Sequence, residues 1–199
     1  MNKNNLWRLS ASEIAKATTA GEIRTVDVIT SAVDRMKQVN PSLNAVVVDL
    51  SEKAIETADL LDRNRDNGKR CGPLHGVPIT IKINVDQKGH ATSNGVSALK
   101  DWIAPDDAPI VKNLQKAGAI IIGRTNTPEF SFRADTDNGL HGRTNNPWGS
   151  HVSAGGSSGG AGAAVMSGIG AMGHGNDIGG SLRFPAAANG AFTVKPGLG

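Results

Sequence analysis

The chain has 199 residues, 38% of them hydrophobic and 20% charged, which is the balance of one globular domain and not of a disordered segment. Its net charge of +3 comes from basic residues interspersed with acidic ones, which argues against nucleic acid or an anionic membrane surface as a partner. The single cysteine, Cys71, excludes an internal disulfide framework, and no apolar run approaches the roughly 18 residues of a membrane span, so a cytoplasmic location is expected.

The first third of the chain carries helical signals. Ser10 and Glu13 form a capping-box pattern ahead of a first helix, which Gly21 is suited to end. From Thr25, apolar residues recur at helical spacing until the pair at 40–41, Asn-Pro, which is expected to stop the second helix.

A third helical run is predicted to begin at a capping Ser51 and to close near Gly68. All three runs are amphipathic, as expected of helices that pack one face on a core. We therefore expect residues 1–70 to form peripheral helices and residues 71–199 to form the core of the fold.

The pattern changes to that of strands after Gly76. In "PITIKINV" apolar residues alternate with polar ones, among them Lys82, which predicts a strand with one polar face. A helix is predicted from the region of Pro109 through Lys116, followed by the all-apolar "AIII" at 119–122, which favours a strand covered on both faces. A right-handed crossover would place the two strands side by side in a parallel sheet.

The last third is dominated by glycine and turn-forming residues. Residues 136–150, "TDNGLHGRTNNPWGS", are predicted to form a long loop, and loops of that length are more often functional than idle. Short helices are predicted in "AGAAVMSG" and "SLRFPAAANG", and strands in "AMGHGND" and "FTVKP". More than half of the 25 glycines lie from Gly155 onward, which indicates tight turns or close approach to a ligand.

Several short motifs fit poorly in their context. The G-x-S-x-G at 155–159 is typical of a nucleophile elbow, but the preceding "NNPWGSHVSA" is polar where a buried strand is required. The G-x-G-x-x-G at 168–173 follows a helical run and lacks the acidic residue of a dinucleotide site. Residues 135–139 begin like a calcium loop, but the glycine comes one position early, and the histidines have no metal-ligand spacing. No cofactor and no metal are therefore expected.

A lysine and two serines form a more informative set. Serine hydroxyls are weak nucleophiles unless a neighbouring base removes the proton, and lysine is a base only when burial keeps it neutral. Lys82 lies on a predicted strand, Ser157 lies in "GGSSGG", and Ser181 follows in "DIGGS". The glycines before Ser181 leave consecutive backbone N–H groups accessible, as an oxyanion hole requires.

Six segments, in order and spacing, resemble the amidase signature family. They are "GVPITIK" at 76–82, "GRTNTPEF" at 123–130, "NNPW" at 145–148, "GGSSGG" at 155–160, "GNDIGGSLRFP" at 175–185 and "VKPG" at 194–197. The resemblance extends over nearly the whole chain. It implies an α/β fold in which helices sandwich a mixed β-sheet.

The resemblance also implies a Ser-Ser-Lys triad. Ser181 matches the nucleophile, Ser157 the bridging serine that relays its proton, and Lys82 the base. An ion pair between Asp177 and Arg183 is implied to brace the loop, and Ser158 is implied to be structural. Four backbone N–H groups match the oxyanion hole, those of Ile178, Gly179, Gly180 and Ser181.

The sequence departs from the family at three places and in length. Asn176 stands where threonine is usual, Ile83 where aspartate often follows the lysine, and Ser-Ala at 153–154 where Pro-Gly is common. Family enzymes are more than twice as long, so the chain corresponds to their N-terminal half. We therefore expect it to be a poor or inactive enzyme by itself, with an unpaired sheet edge that favours association.

The implied activity is hydrolysis of a small-molecule carboxylic amide to an acid and ammonia or an amine, through an acyl-enzyme and without a cofactor. Two alternatives stay open: the glutamine-hydrolysing subunit of a tRNA-dependent amidotransferase, and an inactive fragment with only a binding role. Neither direct nucleic-acid binding nor membrane binding is expected, and a homodimer is left open.

Overall fold

The computed structural model describes residues 3–197. Within that range short 3-10 helices lie at Lys3–Arg8, Ser97–Leu99 and Glu129–Ser131. The α-helices are α1 (Ala11–Ala20), α2 (Thr25–Leu43), α3 (Ser51–Asp66), α4 (Pro109–Lys116), α5 (Gly159–Met166) and α6 (Arg183–Asn189). The strands are β1 (Val46–Asp49), β2 (Pro78–Lys82), β3 (Ile120–Thr125), β4 (Asn145–Asn146), β5 (Gly149–Ser153) and β6 (Met172–Gly173).

The central sheet has four strands in the order β1-β3-β2-β6. Strand β2 runs parallel to β3 and to β6, whereas β1 runs antiparallel to β3, so the sheet is mixed. The predicted β-α-β unit is confirmed, with α4 as its crossover. Strand β1 was not predicted, because its four residues give no distinct alternation between two long helices.

Apolar side chains cover the sheet on both faces. Ile120 and Ile122 of β3 pack in one cluster with residues of α2, α3 and α5. Ile121 points the other way and packs with Ile79 and Ile81 of β2 and with residues of α1 and α4. Burying each such isoleucine contributes about 1.5–3 kcal/mol. The expectation that an all-apolar strand is covered on both faces is confirmed, and the fold class is α/β as predicted.

The first helix has the predicted ends. The Ser10 hydroxyl accepts the Glu13 backbone N–H, the Glu13 carboxylate accepts the Ser10 N–H, and Gly21 ends the helix with a φ of 75°. The predicted end of α2 at residues 40–41 is wrong, since the helix runs to Leu43 with the proline inside its last turn. The Asn40 side chain closes that turn by accepting two backbone N–H groups of the following segment.

The predicted cap of α3 is wrong by one residue. Leu50 is the N-cap, and Ser51 is the first helical residue. The carboxylate of Asp49 accepts the Ser51 N–H at 2.8 Å and also its hydroxyl. The last residue of β1, Asp49, thus binds the first residue of α3, Ser51. No helix among residues 3–197 is both long enough and apolar enough to cross a bilayer.

The last third differs most from expectation. Both predicted short helices are present as α5 and α6, but the predicted loop at 136–150 ends in a small sheet of β4 and β5. The predicted strand in "AMGHGND" is only two residues long, and "FTVKP" at 192–196 forms no strand. A strand needs a neighbour for its backbone hydrogen bonds, and no strand in the described part of the chain lies beside 192–196.

The division at residue 70 stays a prediction. Strand β1, from the first part, pairs with β3, from the second, and so joins them in one sheet.

Candidate active site

The predicted site residues lie where the parallel strands end. Lys82 is the last residue of β2 and is in register with Thr125, the last residue of β3. The loop from residue 174 to 182 leaves the end of β6, and the loop from 154 to 158 leads into α5. Open α/β sheets bind ligands beyond the carboxyl ends of their strands, and this site follows that rule.

Lys82 is fully buried, with none of its surface exposed to solvent. Its Nζ lies 2.6 Å from the Ser157 Oγ and 2.8 Å from the Asn176 Oδ1. Burial lowers the pKa of Lys82 to about 7, and the carboxylate of Asp177 partly opposes that effect. A substantial fraction of the amine is therefore neutral near pH 7 and is able to accept a proton.

Ser157 and Ser158 are buried in a loop. The two residues before them are glycines, at positions where a larger residue would be strained or would clash. Gly155 has a φ of 74°, in the left-handed region. A Cβ at Gly156 would lie 2.4 Å from the carbonyl oxygen of Arg133, closer than any real contact. The peptide bond between Gly156 and Ser157 is cis. The glycine pair thus lets the chain pass close to its neighbour and carry Ser157 to Lys82.

Thr136, which lies in a different segment of the chain, forms hydrogen bonds to both ends of this loop. Its buried hydroxyl donates to the Gly155 carbonyl at 2.8 Å and accepts the Gly159 N–H at 3.1 Å. One side chain therefore connects the two ends of the segment that contains Ser157. The sequence indicated only that the loop beginning at Thr136 would have a function; it did not indicate this contact.

Changing Thr136 to valine should lower the free energy of unfolding by about 1–3 kcal/mol, because a buried carbonyl and a buried N–H lose their partner. Chemical denaturation of the complete protein measures this change. The matched control is Thr57→Val on α3, where the hydroxyl bonds a carbonyl of its own helix, and where a change within about 0.5 kcal/mol is expected. Equal stability losses in the two variants would contradict the role given to Thr136.

The loop that carries Ser181 is organised around Asp177, whose side chain is almost completely buried. The carboxylate accepts the backbone N–H groups of Gly180, Leu182 and Arg183 at 2.7, 3.2 and 3.1 Å. The Arg183 guanidinium donates to it through Nε at 2.9 Å and Nη2 at 3.1 Å. These hydrogen bonds hold the pKa of Asp177 far below its ordinary value, and the bond from the Arg183 guanidinium has the largest effect. The geometry of the implied ion pair is therefore present.

Ser158 connects the loop at 154–158 with the loop at 174–182, which contains Ser181. Its backbone N–H donates to the Ser181 carbonyl at 3.0 Å, and its hydroxyl lies 3.4 Å from both the N and the O of Asn176. The hydroxyl of Ser181 is partly exposed and makes no hydrogen bond to another described residue. The structure thus brings Lys82 and Ser157 into direct contact and connects the backbone of Ser181 to Ser158, the next residue after Ser157.

The four N–H groups assigned to an oxyanion hole differ in availability. The Gly180 N–H is donated to Asp177. Those of Ile178, Gly179 and Ser181 make no hydrogen bond within residues 3–197. Added Cβ atoms at Gly179 and Gly180 would meet nothing within 4 Å, so the surface of this loop is open. Three N–H groups are free to bind an anion, and the role stays a prediction.

A cavity of about 830 Å³ opens beside the site. Its walls include His174 and Asn176 together with apolar side chains such as Leu114 and Phe192. Burial, and secondarily the nearby charge of Lys82, lower the pKa of His174 to about 4, so its ring is neutral at pH 7. Among the described residues, no three His, Cys, Asp or Glu side chains are placed to hold a metal ion.

Sequence reasoning missed the contacts of Thr136, His174 and Asn176. Asn176 carried a signal, since it departs from the threonine that is usual at its position. His174 carried none, because one histidine between two glycines has no distinctive spacing. These three contacts depend on which loops the fold brings together.

Comparison with known proteins finds relatives over nearly the whole chain, several of them named as amide hydrolases. The family model described as Amidase matches residues 27–199. The indoleacetamide hydrolase of Bradyrhizobium diazoefficiens is 58% identical over 99% of this chain and 38% of its own length. The acylamidase of Rhodococcus erythropolis is 41% identical over 100% of the chain and 42% of its own length.

The glutamyl-tRNA(Gln) amidotransferase of Streptomyces avermitilis contains a subunit that is 38% identical over 98% of the chain and 39% of its own length. The solved structure of a fatty acid amide hydrolase superposes with a TM-score of 0.90 at 34% identity, over 94% of this chain and 33% of that protein. The chain thus spans about two fifths of the length of the curated relatives it matches.

Proposed function

We propose that this chain, which belongs to the amidase family, supplies the catalytic residues of an enzyme that hydrolyses carboxylic amides through an acyl-enzyme. The observation that carries the proposal is the 2.6 Å contact between the Lys82 Nζ and the Ser157 Oγ in a fully buried setting. A lysine in contact with a serine and with a pKa of about 7 is suited to act as a general base.

In the acylation step, neutral Lys82 takes the proton of the Ser157 hydroxyl while Ser157 takes the proton of the Ser181 hydroxyl. The Ser181 Oγ attacks the amide carbon, and the carbonyl electron pair moves to oxygen. The N–H groups of Ile178, Gly179 and Ser181 are available to bind that oxyanion. The proton then returns through Ser157 to the leaving nitrogen, the C–N bond breaks, and ammonia or an amine departs from acylated Ser181.

Deacylation repeats the relay with water in place of the serine hydroxyl. The relay removes a proton from water, the oxygen attacks the ester carbon, and the C–O bond to Ser181 breaks. Ser181 regains its proton, the acid leaves, and Lys82 returns to the neutral amine. The proposal adds one contact to the observed arrangement, a hydrogen bond between the Ser181 and Ser157 hydroxyls.

The substrate class we propose is a primary amide of an arylacetic acid, with indoleacetamide as the first compound to test. The name of the relative that is 58% identical to this chain supports that choice. The cavity beside the site is lined by apolar residues that include Leu114 and Leu182, as the binding of an aromatic group requires.

The complete protein should release ammonia from indoleacetamide with a kcat/KM at least about tenfold above that for glutamine, since one apolar group is worth about 1–3 kcal/mol in a hydrophobic pocket. Coupled ammonia detection with the two amides at equal concentrations measures the ratio. Faster release from glutamine would favour the glutamine-hydrolysing alternative, which the amidotransferase relative supports. Release from neither amide, nor from other simple amides, would favour a chain with only a binding role.

A further inference from the structure

The buried amine of Lys82 has two side-chain partners among the described residues. Ser157, one of them, belongs to the proposed proton relay. The other is Asn176, whose Oδ1 lies 2.8 Å from the Lys82 Nζ. Asn176 has no part in the relay, and its position is one where the amidase signature family usually has threonine.

An amide oxygen accepts hydrogen bonds and never donates them. Lys82 must therefore direct an N–H toward Asn176 in either of its protonation states. A neutral amine has two N–H groups and one lone pair. With one N–H fixed on Asn176, the amine is oriented about its Cε–Nζ bond, and its lone pair can face the Ser157 hydroxyl. A threonine hydroxyl fixes no such direction, because it can either accept from the amine or donate to it.

We propose that Asn176 is a positioning residue, which accepts an N–H of Lys82 and so turns the lone pair of the neutral amine toward Ser157. This inference rests on the proposed function, in which Lys82 is the base.

Among the described residues, no charged or titratable side chain accepts a hydrogen bond from the Lys82 amine. His174, from the segment that follows β6, is half-buried and neutral at pH 7. The carboxylate of Asp177 is occupied by the Arg183 guanidinium and by three backbone N–H groups. From β3, the guanidinium of Arg124 donates to the carbonyls of residues 83, 85 and 91, away from the amine. A neutral acceptor in direct contact orients the amine without holding it as an ammonium.

A carboxylate at position 176 would hold that ammonium. In the Asn176→Asp variant the pKa of Lys82 should rise by about 1–3 units, because an opposite charge in contact favours the protonated form. The proper readout is NMR titration of the complete protein labelled with ¹³C-lysine, with the Lys82 signal assigned by its loss in Lys82→Met. Asn67→Asp, at the exposed end of α3, adds the same charge outside the site and should leave the pKa of Lys82 unchanged.

Kinetics separate positioning from a structural role. Asn176→Leu should lower kcat about tenfold or more with little change in KM, because the amine loses its orientation in the chemical step. Asn176→Thr should recover part of kcat, since its hydroxyl can accept the N–H. In Asn176→Asp the rise of kcat/KM with pH should move upward together with the pKa of Lys82.

An unshifted Lys82 titration in Asn176→Asp, or a wild-type kcat in Asn176→Leu, would overturn the proposal. A protein in which Lys82 titrates as expected but no amide is hydrolysed would overturn the proposed function and still support the contact between Asn176 and Lys82. The two failures are therefore distinguishable.

Discussion

Ser181→Ala in the complete protein is expected to lower kcat/KM for amide hydrolysis by a factor on the order of 10⁴ or more, since the variant has no oxygen to form the acyl-enzyme. The backbone of residue 181 would still accept the Ser158 N–H, and Asp177 would still hold the loop through Gly180, Leu182 and Arg183. Loss of rate should therefore occur without loss of the fold. Initial rates with indoleacetamide, together with thermal unfolding, measure both.

Ser158→Ala is the matched control, because Ser158 lies in the same serine-rich region but is implied to be structural. Its contact with Ser181 is made by its backbone N–H, which alanine retains. Its hydroxyl makes only long contacts of 3.4 Å to Asn176. We expect a loss of no more than about tenfold. A Ser158→Ala variant as inactive as Ser181→Ala would mean that the two serines have been assigned the wrong roles.

Lys82→Ala should lower kcat/KM by about 10²–10⁴-fold, the contribution of general-base help. Lys82→Arg should fail as well, since a guanidinium stays protonated at any usable pH. The wild-type rate should rise with pH, because the protonated ammonium cannot accept a proton. Below the Lys82 pKa of about 7 the rate should fall about tenfold for each pH unit, and above it the rate should level off.

The pH profile of kcat/KM between about pH 5 and 9 checks this prediction in the wild type and in both variants. Any residual rate of Lys82→Ala should lose the rise near the Lys82 pKa of about 7. An active Lys82→Arg variant with an unchanged profile would remove Lys82 from the mechanism and leave Ser157 without a base.

The strands and helices that are local in sequence were predictable. Ser10 and Glu13 predicted α1, and "AIII" predicted a strand covered on both faces, because capping and periodicity depend on neighbouring residues. Errors came where the local pattern does not decide the outcome. The helix α2 continues through Pro41 to Leu43, and "FTVKP" forms no strand because no described strand pairs with it.

The polar face predicted for the strand of Lys82 illustrates the same limit at the site. Alternation predicted polar residues there, and a strand lysine is usually solvated. In the structure both faces of β2 are buried, and Lys82 has no solvent contact. Its side-chain contacts come from loops 75 and 94 residues later in sequence, at Ser157 and Asn176. Sequence patterns could not predict those contacts, whereas the family resemblance implied their outcome.

We expect Ser181 to become acylated, and peptide mapping after reaction with a fluorophosphonate identifies the serine that reacts. The complete protein, treated with the reagent, digested and analysed by mass spectrometry, should carry the label on the peptide containing Ser181. Labelling should fall strongly in Lys82→Ala and vanish in Ser181→Ala. A label on Ser157 instead would exclude Ser181 as the nucleophile and give that role to Ser157, in its G-x-S-x-G setting.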